Sequence, residues 1–210
     1  NIYLHSKSIT SFAERKKILK ANIEPIRDKV DIIVASDLEA TEQMMDYITS
    51  DSIKSPVVML SEHSYNEKNE NNNIYSIVTE TGIRSTFEFA LKTFPHAKKV
   101  YVWSDKTITG NYYMDLAKRE LEPFKDSLEI DFGIAASSDS VFLEKASKLM
   151  ANSFVLFCTW QVDDNGKEYD AQLFYPKLIS KTNVPVFTVI SNVMDCGFLG
   201  GYVLSPVNNG

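Results

Sequence analysis

The chain is poor in the residues that carry the commonest site chemistries. Its 210 residues include two cysteines, Cys158 and Cys196, and three histidines, His5, His63 and His96. The cysteines form no CxxC pair and the histidines are scattered, so no spacing here builds a zinc site. A disulfide between Cys158 and Cys196 stays open for an extracytoplasmic protein, because sequence does not place their Cα atoms. No apolar run approaches the roughly 20 residues needed to cross a bilayer. No signal-peptide pattern is visible, and the first residue is Asn1 rather than Met. The chain therefore reads as a mature piece or a trimmed fragment, and missing targeting signals carry no weight. A basic excess is also lacking. Lys and Arg number 22 against 28 Asp and Glu, a net charge of −6. Each half, 1–97 and 98–210, carries 11 basic and 14 acidic residues. That argues against nucleic acid as a partner.

Catalytic signatures are missing as well. There is no GxSxG, no GxxxxGK[ST] and no GxGxxG after a strand. Asp163, Asp164 and Asp170 do not meet EF-hand spacing, and Asn165-Gly166 between them reads as a turn. No catalytic residue, cofactor or metal is assigned, and the sequence reads as a binder rather than an enzyme.

What is present is an ordinary globular mix, 44% apolar and 24% charged, with short apolar runs alternating with longer amphipathic stretches. Strands are expected at Ile2–Leu4, Asp31–Ala35, Pro56–Leu60, Ile74–Val78, Val100–Trp103, Leu128–Ile134, Phe154–Cys158 and Val184–Ile190. Helices are expected over Ser11–Lys29, from Ser36 to about Thr49, from Ser85 to Phe94, over Asn111–Phe124 and over Asp139–Ala151. A further helix lies between the last two strands, with Pro176 at its first position. Ser36 with Glu39, and Ser85 with Glu88, have the spacing of capping boxes. The polar tract 61–73, with its NEKNENNN run, reads as a solvated loop. Strands without polar alternation suit parallel sheets buried on both faces. Alternating βα units give an α/β fold, read as two Rossmann-like βα lobes with mostly parallel sheets and an inter-lobe cleft. The first lobe spans 1–80, the second 81–190, and 191–210 forms a hinge or return segment.

Three stretches carry a resemblance: DIIVASDLEA (31–40) with SPVVML (55–60), TGIRSTFEFALKTFPHAKKVYVWSDKTITG (81–110), and VPVFTVIS (184–191) with GFLGGYVLSPVNNG (197–210). The ordered set resembles the type I periplasmic-binding-protein-like family, in its ABC transporter substrate-binding branch. The resemblance implies two lobes closing on a small ligand. It also implies service either in a transporter or as the extracytoplasmic sensor region of a histidine kinase or diguanylate cyclase. Against that pattern the usual first strand and helix are absent or lie before Asn1, and the sequence stops at Gly210 where family members continue into a returning helix, so the first lobe reads as incomplete.

Ligands of open α/β sheets bind beyond the carboxyl ends of strands and at helix N-termini. This selects Ser36 and Asp37, Ser61 and Glu62, Asp105 and Thr107, Thr159 and Trp160, and Ser191 and Asn192 as ligand-binding candidates. Capping competes as a role for Ser36 and Asp37, loop stabilisation for Asp105, and core packing for Trp160. Trp160 offers a stacking face and an indole N–H. Thr79, Thr81 and Gly82 read as the hinge, with Gly82 in a backbone conformation other residues resist. The expected function is an extracytoplasmic small-molecule sensor domain of a bacterial signalling receptor, on the periplasmic or outer face of a membrane. A transporter substrate-binding protein and an α/β enzyme with an unrecognised site are the alternatives. The expected partners are a small polar ligand, a membrane-linked signalling module or transporter, and a second copy in a homodimer.

Overall fold

The computed structural model describes residues 1–5, 9, 11–50, 53–61, 73–79, 81–134 and 136–203, with the backbone alone at 192. Two compact units divide the chain, 1–80 and 81–210. Each is an α/β unit of parallel strands joined by helices.

In the first unit, α1 (Phe12–Ile23) is capped by Ser11, whose Oγ accepts from the Glu14 N–H. It leads to β1 (Ile33–Ser36), α2 (Leu38–Ser50), β2 (Val57–Ser61) and β3 (Ile74–Val78). The sheet order is β1-β2-β3, all parallel, with Val34 beside Val58 and Val58 beside Tyr75. Leu19 and Ile23 of α1 and Met44 and Tyr47 of α2 bury Ala35, Val57, Met59 and Ile74. The opposite face of the sheet is different: Val34, Tyr75 and Ile77 stay about half exposed. The expectation that these apolar strands are buried on both faces therefore fails here. The described helices lie over one face only.

Two further expectations fail in this unit. Ile2–Leu4 is not a strand; Ile2 and Leu4 instead pack as half-buried side chains against the same core. Ser36 does not cap α2, because it ends β1 as an exposed strand residue. The cap is Asp37, which takes φ 79° and accepts the Ala40 N–H on Oδ1 at 2.8 Å. An Asp tolerates that left-handed angle because its short side chain bonds locally.

The second unit runs α3 (Ile83–Thr93), β4 (Lys99–Trp103), α4 (Ile108–Leu121), β5 (Glu129–Phe132), α5 (Asp139–Ala146), β6 (Ser153–Phe157), α6 (Ala171–Lys181) and β7 (Val186–Thr188), then a 3₁₀ turn over Ser191–Cys196. The sheet order is β5-β4-β6-β7, all parallel. Here both faces are covered. Phe154 and Leu156 pack with Ile83, Phe87, Leu116 and Leu121 on one side. Val155 and Phe157 pack with Phe142, Phe174, Tyr175 and Leu178 on the other. Every residue of β6 is buried, which is why the FVLF run shows no polar alternation.

The second proposed capping box also fails. Ser85 lies inside α3, and Glu88 pairs with Arg84 instead of reaching back to the helix start. The cap arrives from outside the helix: the Glu120 carboxylate on α4 accepts the Arg84 N–H at 3.0 Å. Sequence spacing cannot reveal a cap supplied by another helix. Likewise α6 starts at Ala171 rather than at Pro176, because the Asp170 carboxylate caps it by accepting from Gln172 and Leu173 N–H. Pro176 is interior to the helix. Burial of Phe174, Tyr175 and Leu178 offsets its penalty of about 3 kcal/mol.

Beyond β7 the chain returns along the sheet edge. Leu199 N–H donates to the Val186 carbonyl and Thr188 N–H to the Gly200 carbonyl. Tyr202 N–H then donates to Thr86 Oγ1 at 2.8 Å. Residues 191–203 thus belong to the second unit by their bonds. Two glycines admit this path. A Cβ at Gly201 would stand 1.9 Å from the Thr188 carbonyl oxygen, and one at Gly82 would stand 1.9 Å from that of Tyr202. Gly82 has φ −81°, open to any residue, so the expected conformational reason for this glycine is wrong. The close approach of Tyr202 is the reason.

Both cysteines are free and buried, so the disulfide that the sequence left open is not formed. Burial, with the charge of Glu120 adding to it, raises the Cys158 thiol to about 12.

Gly201→Ala should destabilise the second unit by about 2 kcal/mol or more, since backbone must move to admit the methyl. Gly166→Ala, at φ 82° with open space around it, should cost about 1 kcal/mol from the backbone angle alone. Urea titration followed by tryptophan fluorescence checks the pair.

Candidate functional site

The strand order of the second unit reverses between β4 and β6. The chain passes from β4 out to β5, then crosses back to pair β6 on the other side of β4. Loops leaving such a switch point diverge to opposite faces of the sheet, opening a crevice beyond the carboxyl ends of the two strands. The first unit, in order β1-β2-β3, has no such reversal among its described strands.

Asp105 follows β4 and is the centre of the switch-point loops. It is 6% exposed. Oδ1 accepts the Thr107 N–H at 3.1 Å and the Thr107 hydroxyl at 2.5 Å. Oδ2 accepts the Gln161 N–H at 2.8 Å, and the Asp105 N–H donates to the Thr159 carbonyl at 3.0 Å. Thr107 in turn caps α4, its Oγ1 accepting the Gly110 N–H at 3.0 Å. Ser104 donates to the Gly110 carbonyl at 2.8 Å. A Cβ at Gly110 would meet Asp105 Oδ1 at 2.2 Å. The Asp and Gly five residues apart are therefore one device, in which glycine gives the carboxylate room over the helix start. Asp105, expected as a ligand contact, spends its acceptors on its own fold.

Trp160, expected as a stacking platform, is likewise internal. At 2% exposure its ring lies against Tyr169 at 5.1 Å, Phe142 at 4.5 Å and Phe174 at 4.9 Å. Neither face is open to a ligand, and the competing role of core packing is the one the structure shows.

Thr159 and Gln161 flank Trp160 at the mouth of the loop. Thr159 is buried and Gln161 half-buried. Both side chains reach toward the Tyr175 hydroxyl. Beneath them the Tyr175 hydroxyl of α6 is fully buried and has no well-formed hydrogen bond among the described residues. Burial, opposed by the nearby Trp160 backbone and the Gln161 and Thr159 side chains, raises it to about 12, so it stays protonated. Gln161 belongs to the strand-end loop after β6, whereas Tyr175, on α6, lies outside the strand-end loops that the sequence selects. Nothing in the local sequence around Tyr175 signals it, since its position depends on packing of α6.

The loop continues into a short turn held by Asp163, whose carboxylate accepts from Asn165 N–H, Lys167 N–H and the Tyr169 hydroxyl. Burial works to raise its pKa, but these bonds and the Lys167 charge together lower it. Gly166 at φ 82° completes the turn read from Asn165-Gly166.

The remaining candidates lie apart from this cluster or outside the description. Ser191 begins the 3₁₀ turn after β7 and is half-buried. Asn192 follows it in the turn, and its side chain is not described. In the first unit Ser36 and Asp37 are exposed at the end of β1, and Ser61 is buried at the end of β2. Glu62 lies outside the described residues. In the segment expected to be a hinge, the Thr79 N–H donates to the Ser61 carbonyl, and Thr81 is half-buried beside Gly82.

These parallel strands and the helices joining them define an α/β fold with Rossmann-like βα units. Solved structures share it. One is the ABC domain in complex with L-Trp from Streptococcus pneumonia, at TM-score 0.61 and 14% identity, covering 95% of this chain and 67% of that one. Another is a conserved domain protein from Vibrio cholerae O1 biovar El Tor, at TM-score 0.59 and 15% identity, covering 90% and 63%. A third is the solute binding protein of an ABC transporter from Rhodopseudomonas palustris BisB5 in complex with 3,4-dihydroxybenzoic acid, at TM-score 0.55 and 16% identity, covering 86% and 48%. The chain thus spans about half to two thirds of the structures it resembles. No protein-family model matches it, and no curated protein does. No helix among the described residues is long and apolar enough to cross a membrane.

Asp105→Ala should destabilise the second unit by about 3 kcal/mol, because it strands buried donors on Thr107 and Gln161; urea denaturation reads this. Asp163 should stabilise the protein above its unfolded pKa of about 3.9 and lose that contribution as pH falls through its lower folded value. Asp163→Asn should therefore be less stable than the parent at pH 7. The gap should close toward pH 2, as measured by denaturation across pH.

Proposed function

We propose that this chain is a small-molecule-binding region of a bacterial extracytoplasmic receptor, taking its ligand at the carboxyl ends of β4 and β6. The observation that carries the reading is the switch point itself. It gathers Thr107, Thr159 and the start of α4 where the strand order reverses, around a loop framework already satisfied by Asp105. The framework is rigid without a ligand, as a preformed site requires. Likeness in fold to proteins solved with L-Trp and with 3,4-dihydroxybenzoic acid supports a small ligand. Ser191 and Asn192 after β7, and Ser36, Asp37, Ser61 and Glu62 at the strand ends of the first unit, are proposed as further ligand contacts.

Occupancy would act by population shift, favouring the setting of the Thr79–Gly82 linker that binds ligand better. Two outputs fit this action: a signalling module such as a histidine kinase or diguanylate cyclase, and an ABC transporter. The second is favoured by neighbours described as a transporter solute binding protein and an amino acid transporter substrate-binding protein. Binding without turnover separates both from an enzyme.

A thermal-shift screen against amino acids, nucleosides, sugars and small carboxylates tests the reading. A ligand at 100 times its Kd should add about 2.7 kcal/mol of stability, and Thr159→Val should reduce that gain. If no compound raises the melting temperature, the binding reading is wrong.

A further inference from the structure

A fully buried hydroxyl without a partner is rare in folded proteins and points to a role that the resting structure does not use. Tyr175 is such a group, with no exposed surface and no well-formed hydrogen bond to its hydroxyl oxygen among the described residues. Its ring is held by Phe157 at 5.0 Å, Phe198 at 5.8 Å and Phe174 at 6.1 Å. The hydroxyl is thus fixed in position by three aromatic contacts while remaining unpaired. The groups nearest to it are the Trp160 backbone and the side chains of Thr159 and Gln161. Those two side chains reach toward the hydroxyl without closing a well-formed hydrogen bond on it, and the backbone carrying them is tied firmly to Asp105. The loop thus presents polar groups that converge on a buried hydroxyl none of them satisfies with good geometry.

We infer that Thr159, Gln161 and Tyr175 form a polar subsite for a neutral hydroxyl or carboxamide group of the ligand, reached by displacing the Gln161 side chain. This deepens the binding reading above and rests on it. The chemical class follows from the donor set. Each of the three groups both donates and accepts, which matches a hydroxyl or an amide. The charge of Asp105 also reaches this point, since it contributes to the high pKa of Tyr175. An anionic group placed here would meet that fixed negative charge in a poorly hydrated setting. The Asp105 carboxylate, already accepting three hydrogen bonds, offers little to a cation.

An unpaired buried hydroxyl also destabilises the resting fold. The test therefore has two arms on the same proteins: the parent chain, Tyr175→Phe and Gln161→Ala. Without ligand, Tyr175→Phe should melt about 2–4 °C above the parent. An unchanged or lower melting temperature means that the hydroxyl is already paired, and overturns the inference. With ligand, ribose, glucose, uridine and adenosine serve as neutral probes, and acetate and benzoate as anions. At least one neutral probe should stabilise the parent, and its affinity should fall tenfold or more in both variants. A neutral probe that binds Tyr175→Phe as tightly as the parent, or stabilisation by the anions alone, overturns the subsite and leaves the binding reading standing. Stabilisation by no probe at all counts against both.

Discussion

The Asp105 carboxylate is the interaction on which the second unit's organisation turns. One buried side chain joins three pieces of chain: the end of β4, the first turn of α4 and the loop after β6. The joined strands are neighbours in space but separated in sequence by β5 and α5. Hydrogen bonds to a buried carboxylate are stronger than neutral ones, and removing the acceptor leaves several donors without water or partner. These bonds fix the loops at the switch point relative to one another. Gly110 is part of the same device, because only a residue without Cβ lets the carboxylate lie against the helix start.

A second constraint acts at the start of α3. The return segment passes so close to Gly82 and Thr188 that two glycines are required, and Thr86 Oγ1 fastens it by accepting the Tyr202 N–H. The TG and GG pairs, far apart in sequence, are therefore two halves of one packing contact. The two units differ in how far their sheets are enclosed. In the second, helices cover both faces and β6 is wholly buried. In the first, α1 and α2 cover one face and leave Val34, Tyr75 and Ile77 half exposed. An apolar face of this kind is unusual for a parallel sheet.

The sequence by itself determined the α/β class, the parallel character of the strands and the approximate place of most elements. Those signals are local: apolar runs of strand length, amphipathic stretches of helix length and turn residues between them. It also placed the strand-end loops after β4 and β6, and the Asn165-Gly166 turn. Only the tertiary structure decided what the side chains in those loops do. Asp105 and Trp160 have the residue types of ligand contacts, yet one binds its own loops and the other packs among Phe142, Tyr169 and Phe174. Tyr175 reaches the site through the packing of α6, and Glu120 caps α3 from α4. Such roles depend on distances between residues remote in sequence, which local pattern does not encode. The coverage of a sheet face is set in the same way, by which helices reach it, so an apolar strand looks the same in sequence whether one face is covered or both.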